Sequence, residues 1–480
     1  MFGKIFFYTS ALFLLFSLEN GYSSIKNAEY LYIKGRGNVK HFTRIAKNLV
    51  KEKYYFSSVP LLKEALLYNK GKRSESFDKL LDIVIGKVGI RQFESLPYKV
   101  LMKSKTPYTR YIIARKLFRM KWYEKALNIL DLGKIKNDHP IKPYSLMLKG
   151  SIFSLKGNYE KAIKNFRECV KSSESRLNSV DDKKEKRQLL INRDSCLLGV
   201  SRSYFGKKDY EKSSFYYLDI DKSSYIWPEI LFEEAWSSFY QKKFNRTLGK
   251  LVTYQAPVFD HIFNPEVNVL EALTYLEMCL WEDSKKAVDR FYSTYEKPLE
   301  KVRNMLERFG KKYKTYYLLA KRMLDGKMSG DKVLNKMFFS IIKDPAFLEM
   351  YDSFYKGGIE LNRIKSISKS KFKSFLMSNI RESLILQRNL IGAYFRKSID
   401  FYLNLISKNL SDMSYIKLEV LSRLRKEILS DDDQSSLERK RGDIKYLRRN
   451  EKQYFWSFNR EFWADELGDY VFALRSECKK

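Results

Sequence analysis

One spacing recurs along this chain and limits its fold more than any other feature. A small residue is followed nine positions later by an aromatic, twelve later by a second small residue, and sixteen later by a large apolar one. Gly150, Tyr159, Ala162 and Phe166 carry the clearest copy. The same offsets give Ala46, Tyr55, Ser58 and Leu62; Ala114, Tyr123, Ala126 and Leu130; and Ser201, Tyr210, Ser213 and Tyr217. They recur at Ala235, Phe244, Thr247 and Leu251, and at Ala272, Trp281, Ser284 and Val288. A weaker set, Val84, Phe93, Leu96 and Val100, lies between the first two.

Such offsets describe two antiparallel helices. Small residues let the backbones approach, and aromatics fill the space at the turn. No pair can bury its apolar face alone, so pairs stack. The pattern resembles the tetratricopeptide repeat (TPR) and predicts an all-α TPR solenoid of six or seven units over residues 39–298. Ala46, Tyr55, Ala114, Tyr123, Ala126, Gly150, Tyr159, Ala162, Phe166, Ser201, Tyr210, Ala235, Phe244, Ala272 and Trp281 are expected to be its structural anchors. The step from Gly150 to Ser201 is longer than the others, and the excess falls in the charged stretch 172–188. That stretch reads as a surface loop or as two extended helix ends.

Beyond residue 298 the repeat fades into a long-helix region, 299–430. Gly357-Gly358 reads as a break, and no proline follows Pro345. From Phe372 to Leu429 apolar residues return every three or four positions, as in one long coiled-coil-like helix or a hairpin of two. A single helix would reach roughly 85 Å at about 1.5 Å per residue. Its stripe could be a seam for a partner or the side that folds back on the repeats. Asp431-Asp432-Asp433 is expected to end it and to open a polar, basic linker, 431–453.

The first residues set the compartment. A short basic start, the apolar run Ile5 to Phe16 and small residues at Gly21 and Ser23 read as a signal peptide over 1–23. The expected location is therefore periplasmic or outer-membrane-associated. Four cysteines are too few for a disulfide framework in 480 residues. Cys169, Cys196 and Cys279 fit helical patterns as small core residues, whereas Cys478, near the end, is a candidate disulfide or free thiol.

The net charge of +34 invites a nucleic-acid reading. Lysine is nevertheless spread along nearly every segment and interleaved with acids, a pattern that biased codon composition produces without any ligand; this disfavours nucleic acid, and an anionic membrane surface or cell-wall polymer is the alternative, charge-driven class of partner. Catalytic patterns are thin. His41, His139 and His261 stand apart, no phosphate loop or GxSxG elbow occurs, and the SxxK match at Ser366 to Lys369 is expected by chance in so serine- and lysine-rich a chain. No enzyme, metal or cofactor is expected.

The tail, 454–480, is unusual: eight aromatics fall between Tyr454 and Phe472. Trp456, Phe458, Phe462, Trp463 and Tyr470 are the candidates for a partner contact, with Arg460 available for stacking; equally, the segment could cap its own chain. Trp456, Phe458, Glu461, Phe462, Trp463, Asp465, Glu466, Leu467, Gly468 and Tyr470 resemble the W-P-F-x-x-E-Y/F-W-x-D-E-L-G-x-Y ending of exported TPR proteins of gliding and predatory bacteria, with Ser457 in place of the proline. That resemblance implies a scaffold in the cell envelope, in a gliding or surface machine, whose partners are envelope proteins. An outer-membrane assembly or cell-wall-associated adaptor is the alternative within the same class.

Overall fold

The structure, a computed structural model, describes residues 24–68, 74–132, 135–429 and 444–478. The expected signal peptide and the linker as far as residue 443, including Asp431-Asp432-Asp433, lie outside the described residues. In chain order the helices are α1 (24–34), α2 (Phe42–Lys51), α3 (Tyr55–Tyr68), α4 (Glu75–Val88), α5 (Tyr98–Leu101), α6 (Pro107–Arg119) and α7 (Tyr123–Leu132). There follow α8 (Lys142–Leu155), α9 (Tyr159–Leu177), α10 (Lys183–Gly206), α11 (Tyr210–Tyr217), α12 (Trp227–Tyr240) and α13 (Phe244–Val252). The remainder are α14 (Glu266–Glu277), α15 (Trp281–Phe309), α16 (Tyr313–Leu324), α17 (Lys332–Lys343), α18 (Pro345–Lys365) and α19 (Lys371–Leu429). Two short strands, β1 (Trp456–Ser457) and β2 (Tyr470–Val471), pair in parallel in the tail. Among the described residues, no helix is long and apolar enough to cross a membrane.

Six helix pairs share one turn. The aromatic anchors Tyr55, Tyr123, Tyr159, Tyr210, Phe244 and Trp281 are each the first residue of a second helix. Two residues before each, the backbone turns left-handed: Lys53, Lys121, Gly157, Lys208, Lys242 and Cys279 have φ between 58° and 73°. The next amide then closes back on the first helix, as Trp122 N does on Leu117 O (2.9 Å) and Leu280 N on Tyr275 O (2.9 Å). This is the helix-ending motif in which one left-handed residue lets orphaned carbonyls be satisfied. Glycine meets that demand without strain, yet only Gly157 supplies it here.

The small anchors sit where the helices touch. Ala46, Ala114, Ala126, Ala162, Ser201, Ala235 and Ala272 are wholly buried, and Gly150 lies against Phe166 so closely that a Cβ would come within 2.7 Å of the ring. Phe166 also covers Gly199 on α10, where a Cβ would lie 2.6 Å away. In two pairs the second small anchor donates to the carbonyl of the first, Ser284 Oγ to Ala272 O (2.9 Å) and Thr247 Oγ1 to Ala235 O (3.4 Å). These bonds satisfy hydroxyls that burial would otherwise penalise.

The described residues form two compact units, each drawing on early and late segments. Unit 1 comprises Met1–Ser145 with Ala346–Gly392. Its core includes Ile45, Leu62, Val84, Ile112, Phe347 and Ile380. The buried carboxylate of Glu360 on α18 caps α3, accepting from Phe56 N (2.9 Å) and Ser57 N (2.7 Å). Gln92 donates to Gln387 Oε1 (2.9 Å), and Gln387 donates to Met350 O (2.9 Å). Two expectations need correction here. Gly357 and Gly358 break nothing: both lie inside α18, and Gly357 is small because Leu384 packs 2.6 Å from where its Cβ would be. The weak set at Val84, Phe93, Leu96 and Val100 has no full second helix, since a 3-10 turn at Ile90–Gln92 leads only to the four-residue α5.

Unit 2 comprises Leu146–Pro345 with Ala393–Lys480. The charged stretch 172–188 extends two helices, α9 to Leu177 and α10 from Lys183, joined by Arg176 and Glu185 at 2.5 Å. Cys169 and Cys196 are not simple packing residues as the sequence suggested; they form a disulfide between these helices. Within this unit the later part of α19 lays Met413, Ile416 and Val420 against Ala272, Ala287, Val288 and Phe291 of α14 and α15. That part of the stripe is buried in its own chain.

Candidate functional site

Helix α13, FNRTLGKLV, is buried from Arg246 to Val252 because it is covered on two sides. Its apolar side packs with α12 and α14, Leu251 meeting Ala235, Val267 and Leu270. The other side, Asn245, Arg246, Gly249, Lys250 and then Thr253, is polar and recurs at helical spacing. It receives the tail.

The tail docks mainly through its backbone. Phe472 N donates to Asn245 O (3.1 Å), and the Asn245 side chain brackets Leu474, donating to its carbonyl (3.0 Å) and accepting from its amide (3.0 Å). Thr253 Oγ1 accepts from Gly468 N (3.2 Å), and Lys250 Nζ donates to Gly468 O (3.1 Å). Gly249 allows the approach: a Cβ there would lie 1.7 Å from Tyr470 O. Gly468 has φ +88° and faces Trp227 and Leu231 at 3.0 and 2.9 Å from its would-be Cβ, so it too has no room for a side chain.

Charge and rings complete the clasp. Lys250 and Glu234 form a buried ion pair at 2.7 Å. Burial raises the Glu234 carboxyl above its usual range, with Lys250 pulling the other way. Arg246 stacks over Phe455, its guanidinium 4.3 Å from the ring centroid, and burial lowers its pKa from the usual value. Lys222 reaches Asp469 Oδ2 and Asp465 O, both at 2.8 Å. Cys279, at the left-handed turn of the last pair, is bonded to Cys478 and fastens the end of the tail. Of the two readings open for Cys478, the structure has the disulfide, and Cys279 is its partner instead of a plain core residue.

The five aromatics singled out in the tail divide. Tyr470, 2 % exposed, is buried in the clasp and accepts from Trp463 N (2.8 Å). Phe458 stacks on Phe472 at 5.5 Å, and Phe462 packs against the cluster of Trp227, Leu231, Ala256 and Phe259. These three meet their own chain. Trp456 and Trp463 stay 48 % and 58 % exposed, with Tyr454 beside them, as rings open to a partner. Arg460 stands at φ +75° between them.

Beside the clasp is a cavity of about 630 Å³. Leu251, Val252, Ile262, Phe458, Phe462 and Phe472 supply apolar walls, while Arg290, Lys336, Arg460 and Glu271 bring charge. Arg290 is paired with Glu271 at 2.6 Å. Lys336 is partly buried, which lowers its pKa, with Asp260 opposing. Burial pushes the Tyr295 phenol up to about 12, so it is neutral and available as a donor. Sequence reading missed Asn245, Gly249, Lys250, Thr253 and Lys336; the one available signal was a short helix polar on the face opposite its apolar stripe.

Among the described residues no group of histidines, cysteines and acids is placed to hold a metal ion. His139 Nε2 is 2.8 Å from Asp82 Oδ2, a pair within unit 1. His41 and His261 show no such pairing in the described contacts.

Residues 143–176 match the tetratricopeptide repeat family model, the segment of α8 and α9 that holds Gly150, Tyr159, Ala162 and Phe166. No curated protein matches the chain. Among solved structures, a human IFIT1 dimer with PPP-AAAA is similar at 11 % identity, over 67 % of this chain and 78 % of that one, with a TM-score of 0.27. A circular tandem repeat protein of novel repeat topology is similar at 13 % identity over 81 % and 78 %, with a TM-score of 0.11. The fold assignment rests on the helix pairs and the matched repeat: this is an all-α protein of the tetratricopeptide-repeat kind, an architecture that serves protein–protein interaction.

Proposed function

We propose that this chain is a non-enzymatic scaffold of the bacterial cell envelope that holds partner proteins, as a component of a gliding or surface machine. Repeat pairs present helix faces to a partner, and Trp456 and Trp463 add exposed rings at one place. The observation that carries the reading is the pairing of every cysteine of the sequence in two disulfides, one of which ties the tail to the last repeat pair. Disulfides persist in oxidising compartments and are rare in the cytosol, which accords with the signal-peptide reading of residues 1–23. The resemblance of the tail to exported TPR proteins of gliding bacteria supplies the choice of machine. An outer-membrane assembly or cell-wall-associated adaptor would use the same surfaces.

The test is photo-crosslinking in intact cells with a reactive residue at Trp463, followed by fractionation and thiol labelling. Discrete crosslinked proteins in the envelope fraction, with no thiol labelled before reduction, are expected. A cytoplasmic chain with free thiols, or an envelope chain with no crosslinked protein, would refute the proposal.

A further inference from the structure

The cavity beside the clasp combines aromatic rings with cations. Its lining mixes polar and apolar side chains, with three phenylalanines contributed by the tail. Three cations line it against one carboxylate. Glu271 is engaged by Arg290 at 2.6 Å, which leaves Lys336, partly buried, and Arg460, exposed at the rim, without a salt bridge among the described residues. Cations in partly desolvated surroundings are unfavourable unless compensated. Lys336 shows that cost in its lowered pKa, with the Asp260 carboxylate opposing it.

Arg460 brings the second charge, from a left-handed backbone position at φ +75°. Asn264, Asn268 and Gln255, also in the lining, offer amides that could bond a peptide backbone.

We propose that this cavity binds a peptide segment bearing a carboxylate next to a large apolar side chain, the side chain entering between the tail phenylalanines and Leu251 and Val252, the carboxylate meeting Lys336 and Arg460. The proposal rests on the scaffold reading and names the chemistry of its partner. An anionic polymer would satisfy the two cations but leave the rings of Phe458, Phe462 and Phe472 without a partner, so the geometry favours the peptide. The carboxylate is that of an acidic side chain or of a chain terminus; the chemistry at the cavity is shared.

The experiment is fluorescence anisotropy on the oxidised full-length chain with four labelled Gly/Ser octapeptides. They end in Asp-Phe-amide, in Ser-Phe with a free carboxylate, in Asn-Phe-amide and in Asp-Ser-amide. Binding by the first assigns an acidic side chain, and binding by the second a chain terminus; either supports the proposal. The third and fourth should bind at least tenfold more weakly. Lys336→Gln and Arg460→Gln should each weaken the best peptide about 5- to 10-fold without moving the melting temperature. Equal binding of the neutral or the serine-ended peptide, no binding of any, or full affinity in the Lys336→Gln/Arg460→Gln double variant overturns it. If crosslinking at Trp463 still recovers envelope partners in that case, the scaffold reading survives and the pocket assignment alone has failed.

Discussion

Replacing Gly249 with alanine should unfasten the tail. A Cβ at this position would lie 1.7 Å from Tyr470 O, 2.4 Å from Tyr470 C and 2.9 Å from Val471 N. Ordinary heavy-atom contact begins near about 3.5 Å, so the tail backbone must retreat by roughly 2 Å. Bonds of 3.1 to 3.2 Å, from Lys250 to Gly468 O, from Gly468 N to Thr253 and from Phe472 N to Asn245 O, do not survive such a shift. Tyr470 and Val471, both buried, would lose their cover. Burial of such side chains stabilises by about 1.5–3 kcal/mol each, and each hydrogen bond adds about 0.5–1.5 kcal/mol. Against this, alanine improves on glycine in a helix by about 1 kcal/mol. The clash wins, and docking should weaken by about 2–5 kcal/mol, with the Cys279–Cys478 bond still holding the chain end nearby. Hydrogen exchange of peptides spanning 468–474 reads this directly: about 1.4 kcal/mol per tenfold gives a loss of protection from roughly 30-fold to several thousandfold. Gly358→Ala, in the interior of α18 with nothing within 4 Å of the new Cβ, is the control and should stabilise slightly. Unchanged protection in the Gly249→Ala chain would refute the close docking of the tail and the pocket wall built on it.

Three further outcomes follow from the same structure. Phe166→Ala should cost about 3–5 kcal/mol by chemical denaturation, since the ring fills the space over Gly150 and Gly199, and adding Gly199→Ala should recover part of that loss, whereas Gly199→Ala alone should destabilise. Lys121→Gly, and likewise Lys208→Gly or Lys242→Gly, should raise stability by about 0.5–1 kcal/mol, because each lysine holds a left-handed turn that glycine adopts freely; an unchanged or lowered denaturation midpoint would show that the turns store no strain. Glu360 is raised from its ordinary 4.5 by burial, its bonds to Phe56 and Ser57 only partly offsetting this. The folded state therefore holds the proton more tightly than the unfolded chain, and this group's contribution to stability is greatest below pH 4.5 and is lost as pH rises through the folded pKa. Glu360→Gln should flatten that part of the slope in denaturation measured from pH 4.5 to 7; an unaltered slope would contradict it.

The helix pairs were legible because their code is local. Nine residues from Ala46 to Tyr55 or from Ala272 to Trp281 fix a turn whose geometry the chain repeats, and the buried small residues follow from helical contact alone. The clasp is different, since its determinants are distant in sequence. Gly249 looks like a defect in a short helix until Tyr470 arrives against it from more than two hundred residues away. Cys279 reads as a small residue in a helical pattern, yet it occupies the left-handed turn position and is joined to Cys478 across a separation of 199 residues. Gly357-Gly358 misleads for the converse reason: a pair that breaks an isolated helix is tolerated where one member makes room for Leu384 and the rest of α18 is held by packing. The tail's aromatic density was visible, but density alone cannot say which rings a chain keeps for itself. Burial answers that. Phe458, Phe462 and Tyr470 build the clasp and one wall of the cavity, and the rings left exposed, Trp456 and Trp463, flank the strained Arg460 in sequence. Recognition is thus expected where the tail has already been fixed to the repeats: the rigid clasp removes the ordering cost that a free tail would carry on binding, and a partner meets a preformed surface.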